Sequence, residues 1–370
     1  MKKIKQRWIV KAGSSLVSSK INGLDDSFIA SLVKIIQDLK KKEIEVVIVS
    51  SGAVAQGMHE LGIDKRPDTL PLLQASAAIG QMGLVKLYQK EFQKFSILAA
   101  QVLISHSDIA NRERYLNARH SLNALLDLGV VPVVNENDSV ATEEISFGDN
   151  DSLAGALAGV INANKLIILT DQKGVYTKDP DKESSAEFIK IIDLDKKDLD
   201  LNIIATGDAG SLGRGGMKTK LQAATKASTF GCETWILKGN NIDDLLNLDK
   251  EFSGTKIISN KSTLSSRKQW IASRGKSLGK IIIDQGATKA LLNEGRSLLP
   301  VGILSSSGDF QKGDLISCHD QEGKEVALGL SNFSSIELGK ILGLKSKELS
   351  LVLGKLVEEE VIHRDNLVLS

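Results

Sequence analysis

The sequence predicts an α/β protein: an open, mainly parallel sheet sandwiched by helices, followed by a smaller β domain. Three observations predict it. Short β-rich runs alternate with helical patterns through the first two-thirds of the chain. Several of those runs are apolar throughout, as strands covered on both faces are. Near residue 255 the pattern changes to short strand-like pieces separated by turns.

The predicted strands of the first part are 7–12 (RWIVKA), 44–50, 96–104, 130–135, 165–170 and 233–238. In the helical stretch 25–42, Phe28, Leu32, Ile36 and Leu39 share one face. Asp25 or Asp26 stands where an N-cap belongs, and lysines close the other end. Further helices are predicted at 71–94, 110–128, 150–163 and 217–230. In such sheets ligands bind beyond the carboxyl ends of the strands, so the loops that follow strands should carry the chemistry. In the second part, 280–284, 315–320 and 325–331 are strand-like, which predicts a turn-rich β domain over 278–370. Seven basic residues and no acidic one lie between Thr255 and Ile283. This predicts a first domain over 1–258, a basic linker over 259–277 and the second domain after it.

Composition excludes several classes. Lys plus Arg number 47 and Asp plus Glu 46, a net charge of +1 among 370 residues, and aromatic residues make up 4%. A chain that lives on nucleic acid carries more basic charge and more stacking surface. Cys232 and Cys318 lie far apart, which suits a reducing, cytoplasmic setting and no disulfide framework. Lys11 breaks the apolar run at the N-terminus, so no signal peptide is expected, and no stretch approaches the ~20 apolar residues of a membrane span. The five histidines show no metal-ligand spacing.

Four loops follow predicted strands. In VKAGSSLV (10–17), Lys11 precedes Gly13, a pairing of point charge and approachable backbone that suits a phosphate and equally describes an ordinary turn. In SSGAVAQG (50–57), Ser50 or Ser51 can cap the next helix while Gly52 makes the turn. In 133–155, Asn135 and Asp138 follow a core strand, and Asp149, Asn150 and Asp151 open a helix. Asn and Asp are common in turns and caps. Two such clusters flanking one loop point to a site for something positive, a substrate ammonium or a metal ion. The fourth is LTDQKGVYTKDP (169–180) with LGRGGMKTKLQAA (212–224). It is not a Walker A loop, since Met217 replaces the glycine before Lys-Thr, yet a basic Gly-rich loop suits phosphate.

Together VKAGSS, VSSGAVAQG, SDIANRERYLNARHSL, VPVVNENDSVATEEISFGDNDSLA, LTDQKGVYTKDP and GGMKTKLQAA resemble the amino acid kinase family. The likeness is greatest to members that act on glutamate. The stretches 283–303 and 313–332 resemble a PUA domain, a small β-barrel-like module typical of those members in bacteria. The resemblance implies ATP- and Mg²⁺-dependent phosphorylation of the γ-carboxylate of L-glutamate, the first step of proline biosynthesis. It implies that Lys11, Lys220 and Asp151 are catalytic. The nucleotide would lie on Lys11, Thr170, Asp171, Arg214, Gly215, Gly216, Met217, Lys218, Thr219 and Lys220. Ser51, Asn135, Asp138 and Asn150 would hold glutamate, and Asp149 and Asp151 would act indirectly through magnesium. It also implies feedback inhibition by proline, a homo-oligomer and hand-over of a labile acyl phosphate to a reductase.

The chemistry is consistent with these residue types. A carboxylate with an ordinary pKa near ~4.3 is already ionised, so the nucleophile needs no general base. What it needs is positioning and neutralisation of negative charge. An aspartate or N-acetylglutamate acceptor is the competing reading, and the latter has no ammonium for an acidic loop to hold. RNA binding through the PUA-like part is a further alternative, supported by the basic linker alone.

Overall fold

A computed structural model of the chain describes residues 6–19, 21–140, 150–180, 182–196, 216–248, 250, 252–259, 277–354 and 358–369. They form two compact units, Met1–Ala110 with Asn117–Thr263, and Asn111–Leu116 with Leu264–Ser370.

The first unit is built on an eight-stranded sheet. Its elements run β1 (Arg7–Ala12), α1 (Asp26–Lys41), β2 (Glu45–Ser50), α2 (Ala53–Glu60), α3 (Leu70–Gln93), β3 (Ala99–Leu103) and, from Asn117 on, α4 (Arg112–Asp127). They continue through β4 (Val131–Asn135), α5 (Asn150–Ile161), β5 (Lys165–Thr170), β6 (Ile191–Asp193), α6 (Met217–Ser228), β7 (Glu233–Lys238) and β8 (Gly254–Ile258). The strand order is β6-β8-β7-β5-β1-β2-β4-β3, with β7 through β3 parallel and β8 antiparallel to β7. From β1 the chain winds outward through β2; from β5 it winds the other way, to β7. The crevice between the two windings lies at the carboxyl ends of β1 and β5.

The central strands begin and end where their apolar runs do. At the edges the expected bounds shift. Ser96 takes a left-handed turn (φ 56°), so the edge strand starts at Ala99 rather than 96. Asp25 is the N-cap of α1, accepting the Phe28 N–H at 2.9 Å. The cap expected from Ser50 or Ser51 for α2 is not made. Gly52 occupies that position with φ 108°, and the Ser50 hydroxyl instead meets Tyr88 Oη at 3.1 Å. The sequence does not signal the three-residue strand β6, and β8 is hidden because the composition change near 255 reads as a boundary. Arg7 ties the start of β1 to its surroundings: Nε donates to Glu45 at 2.8 Å and Nη1 to Asn123 at 2.6 Å and the Ile161 carbonyl at 3.1 Å.

The second unit holds a five-stranded sheet, ordered β10-β9-β11-β12-β13, from β9 (Gly279–Ile283), β10 (Ile303–Gly308), β11 (Leu315–His319), β12 (Glu325–Leu330) and β13 (Leu367–Leu369). It also contains helices α7 (Gln285–Glu294) and α8 (Ser335–Ile341), which the reading as a turn-rich β domain passed over. Asp284, taken as the end of a strand, is the N-cap of α7 and accepts from the Ala287 N–H at 2.6 Å. Ser334 and Glu337 form a capping box at α8. Residues 260–276 of the basic linker lie outside the described residues, and no described helix is long and apolar enough to cross a membrane.

Candidate active site

Alternation along the central strands decides what meets at the carboxyl edge. In β1, Trp8, Val10 and Ala12 belong to the core shared with α1 and α3. Lys11 therefore points to the opposite face, where it meets the first turn of α5. In β2 and β4, Ile48 and Val133 belong to that same core, so Ser50 and Asn135, two residues on, face α3. There Ser50 meets Tyr88, and Asn135 Nδ2 donates to Gln81 Oε1 at 2.8 Å.

Helix α5 opens with two buried residues that lead to different places. Asn150 Nδ2 donates to the Ser50 carbonyl at 2.9 Å, to Asn135 Oδ1 at 2.9 Å and to Ser51 Oγ at 3.1 Å. Asp151 goes to the other side. Its Oδ1 is 2.7 Å from Lys11 Nζ, and its Oδ2 is 3.1 Å from Lys220 Nζ and accepts from Thr219 Oγ1 at 2.8 Å. These side chains lead into the site.

Lys11, Asp151 and Lys220 are each 6% exposed or less. Burial alone would raise the Asp151 pKa, but Lys11 and then Lys220 outweigh it and hold the carboxyl down near about 2. Burial lowers the Lys220 pKa, the nearby Lys11 charge adding to the effect and Asp151 opposing it. Two ammonium groups on one carboxylate leave a net positive charge at the crevice, suited to a phosphoryl group. Both Asp151 oxygens face the chain's own cations and Thr219, and no cluster of metal-ligating side chains occurs among the described residues.

The loop after β4 is acidic. Glu136 is buried, with Oε2 3.3 Å from His106 Nδ1. Burial first, and Glu136 second, push the Asp138 carboxyl up to about 7, against the pull of Arg66. Thr170 ends β5 and its hydroxyl donates to Asp171 at 3.0 Å. Gly216 precedes α6 in extended conformation and, lacking a side chain, makes no side-chain cap at the start of that twelve-residue helix. Met217 and Thr219 are half-buried and Lys218 is exposed. Asp149, Arg214 and Gly215 lie outside the described residues.

Sequence reasoning missed Gln81, Tyr88 and Glu136. A weak signal for the first existed in its helical spacing with Ala77, Leu84 and Tyr88, but the sequence alone assigns it no partner.

A buried lysine pair stands on one side of a helix start at the switch point of a mainly parallel sheet, and a row of polar side chains on the other, an arrangement suited to phosphoryl transfer. The chain belongs to the amino acid kinase family, whose model matches residues 6–238; the PUA domain model matches 279–353. It is 47% identical over 365 residues to the glutamate 5-kinase of Herminiimonas arsenicoxydans, covering 98% of both chains. It is 46% identical to that of Nitrosococcus oceani, covering 99% of this chain and 98% of the other. The glutamate 5-kinase of Cupriavidus metallidurans is 47% identical, with 98% of each covered. Among solved structures, a substrate complex of isopentenyl phosphate kinase aligns with 68% of this chain at 20% identity and a TM-score of 0.48.

Proposed function

We propose that the chain transfers the γ-phosphoryl group of ATP to the γ-carboxylate of L-glutamate, giving L-glutamyl 5-phosphate and ADP, the first step of proline biosynthesis. One observation carries the reading: Asn150 and Asp151 are consecutive, yet one joins Ser51 and Asn135 while the other joins Lys11 and Lys220. Acceptor and phosphoryl group are thus brought to adjacent seats. Ser51, Asn135, Asp138 and Asn150 hold glutamate, with Asp138 taking its ammonium. Lys11 and Lys220 neutralise the phosphates, and Asp151 keeps the two lysines apart and aimed. Thr170, Asp171 and the segment from Arg214 to Lys220 hold the nucleotide. Magnesium enters with ATP as a counter-ion of its phosphates, since that ion keeps most of its waters and takes few protein ligands. A kinase domain over 1–258, a linker over 259–277, a PUA-like domain over 278–370, cytoplasmic residence, a homo-oligomer, proline feedback and transfer of the product to a reductase belong to the same reading.

The test is turnover of Mg-ATP with L-glutamate, trapping the acyl phosphate as its hydroxamate, beside aspartate and N-acetylglutamate. Signal with glutamate alone supports the assignment; signal with another acceptor replaces the substrate.

Ammonium binding needs Asp138 ionised. With its pKa near about 7, kcat/KM for glutamate is expected to rise about tenfold per pH unit below 7 and to level off above it. In Asp138→Asn that rise disappears and KM for glutamate increases, while KM for ATP stays within about twofold. Glu136 and Arg66 also act on Asp138, and His106 lies against Glu136. A rise that persists in Asp138→Asn would therefore move the titration away from Asp138.

A further inference from the structure

We infer that Gln81, on α3, is a positioning residue of the acceptor site: through Asn135 it sets the Asn150 amide and so leaves the Ser51 hydroxyl to donate a hydrogen bond to the acceptor's carboxylate. This rests on the acceptor site proposed above.

Three side-chain amides stand in a row, and the backbone groups they meet show which atom of each is oxygen and which nitrogen. The Glu136 N–H can only donate, and it lies 2.9 Å from Asn135, so the atom it meets is Oδ1. The other end of that amide is then Nδ2, a donor, and its partner at 2.8 Å must be the oxygen of Gln81. At the far end of the row the Ser50 carbonyl can only accept. The Asn150 atom 2.9 Å from it is therefore the nitrogen, which also donates to Asn135 Oδ1 at 2.9 Å. That nitrogen has two hydrogens and a third acceptor, Ser51 Oγ at 3.1 Å. Ser51 thus shares one of those hydrogens with a nearer acceptor, and its own hydrogen is left to give.

Gln81 costs stability where it stands. It is 8% exposed, in a row with Ala77, Leu84 and Tyr88, and its Nε2 is buried with no partner among the described residues. A methionine would fill the same space and remove that stranded donor, but it would take from Asn135 Nδ2 the oxygen it donates to. Only the oxygen of Gln81 is used, and it is used on Asn135.

The experiment compares Gln81→Met with Gln81→Glu in the full-length protein, reading kcat, both KM values and the melting temperature. Gln81→Met should raise KM for glutamate about tenfold, the scale of one buried hydrogen bond, with KM for ATP within about twofold and melting little changed, since one unpaired buried donor replaces another. Gln81→Glu retains an acceptor oxygen and should recover most of that loss. Because Gln81 acts through Ser51, adding Gln81→Met to Ser51→Ala should leave KM for glutamate where Ser51→Ala alone puts it. An unchanged KM in Gln81→Met, an equal loss for ATP, a Gln81→Glu no better than Gln81→Met, or full additivity with Ser51→Ala would each overturn the assignment. Should Gln81→Met fail to fold, Gln81→Glu with Ser51→Ala still decides. If wild-type protein phosphorylates a different acceptor, the function proposed above falls, and the same variants test Gln81 on that acceptor's KM.

Discussion

Asp151→Asn is expected to lower kcat by about a hundredfold or more, the scale of losing a preorganised electrostatic element. The substitution keeps the shape and removes the charge. Lys11 and Lys220, 2.7 and 3.1 Å from the carboxylate in the parent, then face each other across a neutral amide in a buried place. One must swing away or give up its proton, and either change removes a positive charge from the phosphoryl seat. KM for glutamate should move less than kcat, because Asn150, not Asp151, reaches the Ser51 side. Stability falls too. A carboxyl held near about 2 against an ordinary 3.8 contributes roughly 2 kcal/mol above pH 4, lost as pH falls from about 4 to about 2. The parent should therefore melt above the variant at pH 7, and the gap should narrow toward pH 2–3. Steady-state kinetics with melting at both pH values checks this. An unchanged kcat would mean that the lysines are aimed by something else.

Gly80→Val is expected to destabilise the first unit by about 3 kcal/mol or more and to raise KM for glutamate. Helices α2 and α3 meet backbone to backbone. A Cβ at Gly80 would fall inside the contact distance of the Ala53 carbonyl oxygen, and one at Gly57 inside that of Ser76. Neither obstacle is a side chain that can turn aside. The damage reaches the site because α2 springs from the Gly52 turn beside Ser51, while α3 carries Gln81 and Tyr88. Gly83→Ala is the control. Its new methyl meets only the side-chain ends of Glu60 and Gln56, which can move, so the loss should stay under about 1 kcal/mol. Melting and glutamate kinetics of the two variants check the contrast; a Gly80→Val as stable as Gly83→Ala would show that the helices slide apart at little cost.

The central strands were the most legible part of the fold. RWIVKA, KLIILT and ETWILK are covered on both faces, so their apolar runs end where the hydrogen-bonded ladder ends. Edge strand β3 is only half covered, and its apolar flanks blurred its limits. Strand β8 was hidden because GTKII sits among lysines and serines whose composition signals a boundary. Within the site, Lys11, Ser51, Asn135, Asn150 and Lys220 could be picked out because polar residues at strand ends and helix starts stand out against apolar runs. Their partners could not. Asp151 read as a seat for a cation, and the structure gives it two cations from the chain itself, one from β1 and one from α6, 140 and 69 residues away in sequence. Gln81 looks like any surface glutamine until β4 is laid against α3 and Asn135 is seen to face it.

The start of α5 has a thermodynamic consequence. Successive helical residues project about 100° apart, so a single helix leads to both proposed seats, Asn150 to Ser51 and Asn135 on one side and Asp151 to Lys11 and Lys220 on the other. Any tilt or slide of the helix that suits one ligand is transmitted to the seat of the other. Linkage then requires reciprocity: whatever factor ATP imposes on the affinity for the acceptor, the acceptor imposes on the affinity for ATP. The sequence in which the two arrive is left to their rates of entry, while the strength of the ternary complex is set by how the helix answers to both at once.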